Sequence, residues 1–299
     1  MDYSQIKHLA NPGATIEILE KYGFSFRKQY GQNFLIDENV VRGIVHNAGV
    51  TKDDFVIEIG PGIGTMTQIL AEEAGKVVAV EIDKKLIPIL EGDTLAAYDN
   101  VKVINQDILK TNIGQLIKDM GFEEGKGRVM VVANLPYYIT TPIIMELLEK
   151  KLPVDSITVM VQKEVADRMK EGPGSKNYGA LSLAVQYYAK PRVVMTVPAS
   201  CFMPRPNVDS AVIKLERFKE APVKVLDETL MFRIIRASFN QRRKTMTNSV
   251  CSDINCGVDK EKLLKALEMT GLDSRIRGEA LDLNQFAQLT NNICTLNQQ

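Results

Sequence analysis

Five short runs of β-branched and other apolar residues alternate with segments of helical length, and no other feature constrains the chain as much. The runs are Phe55–Ile59, Val77–Val80, Val101–Ile104, Val129–Ala133 and Ile157–Val161. Runs of this length without polar alternation suit strands buried on both faces. The segments after the first four, Thr65–Ala74, Lys84–Ala97, Ile113–Met120 and Pro142–Lys151, read as helices, and Thr140 and Thr141 before Pro142 give the last of them a start signal. Such alternation implies an α/β fold with a mostly parallel sheet covered by helices. Arg192–Val197 and Ala211–Leu215, with no helix read between them, are expected to form an antiparallel hairpin at the sheet edge. After Phe218 the pattern changes. A polar linker, Lys219–Val223, leads to helical segments at Glu228–Phe239, Lys260–Thr270 (Gly271 at the position after its cap) and Leu283–Asn292. The chain thus reads as two domains, residues 1–217 and a small all-helical one over 218–299.

Charge adds little by itself, because 37 Lys+Arg balance 37 Asp+Glu. From Arg217 onward there are 13 basic against 10 acidic residues, a mild excess that suits contact with nucleic acid. Four scattered cysteines without CxxC spacing and only two histidines argue against a metal site. The first residues lack a signal-peptide core and no stretch approaches a membrane span, so a soluble cytoplasmic protein, a monomer without metal or membrane contact, is expected.

The first strand ends in Glu58-Ile59-Gly60-Pro61-Gly62-Ile63-Gly64 and a helix follows at once. A glycine turn between strand and helix lets a ligand meet bare backbone at the helix start. The dinucleotide fingerprint GxGxxG fails, since its third glycine would fall at Thr65. The spacing is GxGxG after an acid, which suits an adenosyl amino acid without phosphates. Glu81, ending the second strand 17 residues beyond Gly64, is placed to accept ribose hydroxyls, and Asp107, after the third strand, an adenine amino group.

The fourth strand runs into Asn134-Leu135-Pro136-Tyr137-Tyr138. Adenine N6 is a poor nucleophile, since its lone pair is delocalised into the ring. Two acceptors on its protons, the Asn134 amide oxygen and the Leu135 carbonyl, would move it toward tetrahedral geometry. Pro136 fixes the turn that aims them, and Tyr137 offers a face for an extruded base.

These residues, taken in order, resemble the KsgA/Dim1 family of rRNA adenine N6,N6-dimethyltransferases of the small-subunit (16S) type, over essentially the whole chain. Lys28-Gln29-Tyr30-Gly31-Gln32-Asn33-Phe34-Leu35 is similar to the family's N-terminal GQNFL motif, which implies cofactor contacts for Asn33 and Leu35. Gly60, Glu81, Asp107 and Asn134 match its other cofactor positions, with Gly62 in the same turn. Gln162–Arg168 and Tyr178–Ser182 match further blocks. Phe202–Ser210 resembles the FxPxPxVxS segment, whose Phe, here Phe202 beside prolines on a presumed exposed loop, is expected to wall the target base. Ala237–Thr245 is similar to a basic helix junction, which makes Arg242, Arg243 and Lys244 the expected RNA contacts. The resemblance implies a Rossmann-like methyltransferase sheet with a helical C-terminal domain, S-adenosylmethionine as cofactor, and small-subunit ribosomal RNA or the small ribosomal subunit as partner.

Alternatives stay open at this point. A dehydrogenase is disfavoured by Thr65, and a DNA adenine methylase by the small helical tail. A large-subunit rRNA methylase and an assembly or nucleic-acid-binding factor with secondary methylation use the same motifs.

Overall fold

The structure is a computed structural model that describes residues 6–26, 31–122, 125–150 and 152–298. Arg27 and the first three residues of the N-terminal motif, Lys28, Gln29 and Tyr30, lie outside the described residues, as does Lys151 at the end of the fourth expected helix.

Nine strands form two sheets among the described residues: β1 (Phe34–Leu35), β2 (Phe55–Ile59), β3 (Lys76–Glu81), β4 (Val101–Asn105), β5 (Val129–Asn134), β6 (Ser156–Gln162), β7 (Ala189–Val197), β8 (Phe202–Met203) and β9 (Ser210–Arg217). The main sheet has the order β4-β3-β2-β5-β6-β9-β7. Its first five strands are parallel, and β9 joins antiparallel to β6 with Ile157 opposite Leu215. Every residue of β2 is buried, as are Val129–Ala133 of β5, which is why these runs carry no polar alternation. The fold is thus the α/β, Rossmann-like one, mostly parallel with an antiparallel edge. A second, two-stranded sheet pairs Phe34 with Met203 and Leu35 with Phe202.

Contacts divide the chain into two compact units, Met1–Ala166 with Pro191–Arg217, and Asp167–Lys190 with Phe218–Gln299. The second unit therefore takes in 167–190, which the sequence division leaves with the sheet. Tyr178 explains it: its ring meets Phe239 edge-on at 5.7 Å, and its hydroxyl donates to the Leu281 carbonyl at 2.8 Å.

Two helix expectations change. Lys84–Ala97 is a short helix, Ile87–Ile89, continued by a π turn over Leu90–Thr94, with Pro88 and Gly92 inside the stretch. The helix expected to start at Pro142 starts at Thr140, with Ile139 as an N-cap that makes no side-chain bond. The Thr140 hydroxyl donates instead to the Pro136 carbonyl at 3.1 Å, so the proline turn after β5 runs straight into the helix.

Candidate active site

β2 has β3 on one side and β5 on the other, and the order of strands reverses there. Connections leave such a point in opposite directions, which opens a crevice beyond the carboxyl ends of the strands. Here the crevice is an open cleft, walled by the ends of β2, β3 and β5 and by residues 31–35.

Gly60, Gly62 and Gly64 all adopt left-handed backbone, with φ of 69°, 63° and 92°. A Cβ at Gly62 would stand 2.8 Å from Phe34 Cε1, so the glycine is needed for conformation and for space. Glu81 is built into the same turn. Its Oε2 accepts from the Gly62 N–H at 3.2 Å and its Oε1 from the Asp83 N–H at 2.8 Å. Burial pushes its carboxyl up to about 7, opposed by those two bonds and assisted by the Asp83 charge. Glu58 is buried in the same wall, and its Oε2 has no hydrogen-bond partner among the described residues. Burial raises Glu58 to about 8, with the Thr67 hydroxyl opposing and the Glu81 charge adding.

Residues 32–34 reach three different strand ends in succession. Gln32 Nε2 donates to Asp83 Oδ2 at 3.1 Å beyond β3. The Asn33 carbonyl accepts from Asn134 Nδ2 at 3.1 Å at the end of β5. Phe34 packs on Gly62 beyond β2. Because the Asn134 amide nitrogen is held by Asn33, its oxygen is turned to the other side. Leu135 is buried with its N–H bound to the Met160 carbonyl at 3.2 Å, while the Pro136 carbonyl accepts from the Ile139 N–H and the Thr140 hydroxyl. Tyr137 is half-buried, and its hydroxyl shares a 2.7 Å hydrogen bond with Ser210. Burial raises the Tyr137 hydroxyl above its ordinary range, opposed by that bond.

The cleft brings together Asn33, Leu35, Gly60, Gly62, Glu81, Asn134, Leu135, Pro136 and Tyr137. Other expected residues stand apart. Asp107 does not line the cleft; its Oδ1 caps the turn Ile108–Lys110 by accepting from the Leu109 N–H at 3.0 Å. Phe202 is a core aromatic, 3 % exposed, rather than a loop residue facing solvent, because its backbone pairs with Leu35 in the small sheet. Arg242 donates to the Lys176 carbonyl at 2.8 Å and to Glu279 at 3.2 Å, whereas Arg243 and Lys244 are exposed. The basic triplet is therefore one anchored arginine and two outward cations.

The sequence reading gave no role to Phe34, Ile82 or Tyr138, which also line the cleft. Ile82 directly follows Glu81 and is 44 % exposed, yet in the sequence it is a lone apolar residue between Glu81 and Asp83. Phe34 had a signal in hindsight, since an aromatic inside a motif that meets a glycine turn has a flat face to cover it.

Comparison with known proteins agrees with this geometry. The family model described as ribosomal RNA adenine dimethylase matches residues 23–293. A protein of Lachnoclostridium phytofermentans named ribosomal RNA small subunit methyltransferase A is 61 % identical over 94 % of this chain and 96 % of its own. Its namesake from Geobacillus thermodenitrificans is 55 % identical over 97 % and 98 %. Among solved structures, a dimethyladenosine transferase from Plasmodium falciparum superposes with a TM-score of 0.71 at 28 % identity, covering 89 % of this chain and 98 % of that one. The 23S rRNA methyltransferase ErmE shares the fold with a TM-score of 0.63 at 24 % identity, over 87 % and 99 %. With a cleft at the switch point and a match spanning nearly all of its length, the chain belongs to the ribosomal RNA adenine dimethylase family.

Proposed function

We propose that this methyltransferase moves methyl groups from S-adenosylmethionine to the exocyclic N6 of two adjacent adenosines near the 3′ end of small-subunit ribosomal RNA, two methyl groups on each. The observation that carries the reading is the fixed amide of Asn134. With its nitrogen bound to the Asn33 carbonyl at 3.1 Å, only its oxygen is left to accept from a substrate, as an adenine amino group requires.

The cleft suits the cofactor on its own chemistry. The unpartnered Glu58 oxygen calls for a cationic or hydroxyl-bearing group, and the bare backbone at Gly60 and Gly62 leaves room for a ligand to lie against it. Glu81 keeps lone pairs for the ribose hydroxyls, and Asn33 and Leu35 close the near side. Bound S-adenosylmethionine supplies a methyl carbon made electrophilic by its sulfonium.

On the RNA side, Asn134 Oδ1 and the Leu135 carbonyl each accept one N6 proton. This draws the nitrogen toward tetrahedral geometry and directs its lone pair at the methyl carbon. The surplus proton becomes acidic only when the fourth bond to nitrogen forms, so no strong base is required. Tyr137 stacks on the extruded base. The second methylation returns an N6 with a single proton, and the pocket then holds it through one acceptor. The names of the relatives, small subunit methyltransferase A, support the small subunit as substrate, met in the cytoplasm.

The test is transfer of labelled methyl groups from S-adenosylmethionine to small ribosomal subunits lacking them, followed by mass spectrometry of the nucleosides. N6,N6-dimethyladenosine is expected. N6-monomethyladenosine alone would overturn dimethylation, and methyl groups on ribose or cytosine would overturn the role of Asn134.

A further inference from the structure

Tyr137 is held from outside the motif that contains it. Its hydroxyl and that of Ser210 lie 2.7 Å apart. Ser210 is the first residue of β9, fully buried, and stands opposite Gln162 in the pairing with β6. The residue before it is fixed twice: the Asp209 carbonyl accepts from the Lys163 N–H at 3.0 Å, and its Oδ1 from the Ala199 N–H at 2.9 Å. Ser210 therefore has the rigidity of the sheet, whereas Tyr137 sits on a short turn between β5 and the next helix. A tyrosine ring has two torsions, and a turn residue in an open cleft has little packing on its outer face to fix either. A hydrogen bond at the far end of the ring fixes where the hydroxyl oxygen lies and so sets χ1, while rotation about the ring axis, on which that oxygen lies, is left to packing.

We propose that Ser210 is a positioning residue for methyl transfer: through the Tyr137 hydroxyl it holds the ring at the place against which the target adenine stacks. The inference rests on the proposed stacking role of Tyr137. Ser210 touches neither cofactor nor base, so it acts on the RNA side of the reaction alone. Loss of the bond frees the ring to swing about χ1 and lowers the fraction of bound adenine that is correctly stacked. It leaves the glycine turn and Glu81 as they are.

The experiment is a double-mutant cycle on the whole chain, read as kcat and KM for unmethylated small subunits with cofactor affinity alongside. Ser210→Ala and Tyr137→Phe should each lower kcat/KM for RNA by roughly two- to tenfold, the range of one neutral hydrogen bond. Cofactor Kd should be unchanged in both. The double variant should be no worse than the poorer single one, because both remove the same bond. Multiplying losses would show that the hydroxyls act separately and would overturn the proposal. If Ser210→Ala does not fold, Tyr137→Phe carries the same test, because it deletes the bond from the half-buried side. Tyr137→Ala separates the two ideas. If it is fully active, the stacking role fails; if it is inactive while Ser210→Ala and Tyr137→Phe run at the native rate, only the role of Ser210 fails.

Discussion

Glu58 and Glu81 stand buried at the ends of neighbouring strands, raised by burial to about 8 and about 7. Unfolded, each carboxyl titrates near pH ~4.3. Between that pH and their folded values the folded chain binds more protons than the unfolded one, so their contribution to stability is full at low pH and is lost as pH rises through 7 and 8. A cationic ligand reverses the preference, since it favours the ionised pair. S-adenosylmethionine affinity should therefore rise across the same window, with proton release measurable by calorimetry in two buffers of different ionisation enthalpy. Constant affinity through the window would remove both carboxylates from the cofactor's cation. Glu81→Ala should weaken binding by about 1.5–3 kcal/mol, the loss of hydrogen bonds to a charged group. On the RNA side, Asn134→Ala should cut turnover far more than RNA affinity, because RNA is held mainly through phosphates and shape; equal losses in both would make the amide a binding group only. These side chains were legible because a polar residue ending a buried apolar run has one place to go, the carboxyl edge of the sheet. Phe202 was not, since its burial depends on pairing with Leu35 from the far end of the chain. Asp107 was expected in the cleft but stands outside its lining, because its carboxylate caps the turn that follows it.

The segment over 31–35 joins the strand ends into one site, which makes the glycine turn sensitive to a residue far from it in sequence. Gly62→Ala adds a Cβ that meets the Phe34 ring at 2.8 Å and places a side chain at φ 63°. The backbone alone costs about 1–2 kcal/mol. Thermal unfolding should move down and cofactor affinity should fall. Adding Phe34→Ala to Gly62→Ala should recover part of the affinity but none of the backbone strain; no recovery would mean that Phe34 and the turn are uncoupled. This contact was invisible in sequence for a reason that applies to several elements. β1 and β8 are two residues each, too short to show any alternation, and exist because they pair with one another. The strands β2, β3, β5 and β6, buried and continuous, needed no partner to be recognised; Val101–Ile104, expected to be buried too, forms β4 at the sheet edge, where it is half exposed. Helices with a clear cap and stop were readable too: Gly271, with φ 72°, closes Lys260–Met269 as its position suggested. The stretch over 84–97 failed because its apolar spacing is helical, while the helix begins only at Ile87, with Pro88 in its first turn, and passes after Ile89 into a π turn over Leu90–Thr94 that contains Gly92.

The two units differ in what their charges do. In the unit that holds the cleft, Asp54 and Arg128 form a bidentate pair at 3.0 and 2.6 Å that ties the start of β2 to the start of β5. In the other, Arg242 does similar internal work. It bonds the Lys176 carbonyl and Glu279, and its guanidinium lies 6.0 Å from the Phe239 ring centre, which fastens the 167–190 segment to the C-terminal helices. Arg243 and Lys244 follow it in sequence but point outward. Composition could not separate the three, because a charge run reads the same whether its members are bonded or solvated. The structure predicts opposite consequences. Arg242→Ala should lower thermal stability through the loss of a partly buried ion pair and leave the salt dependence of RNA binding unchanged. Arg243→Ala with Lys244→Ala should leave stability unchanged and weaken RNA binding irrespective of sequence. Each phosphate contact removed should reduce the slope of log K against log salt by about 0.7–0.9. Cofactor affinity should stay constant in every variant, since the cleft is built from residues 31–138 alone. A flattened slope in Arg242→Ala, or an unchanged one in the double variant, would reverse the assignment and place the RNA contact on the anchored arginine.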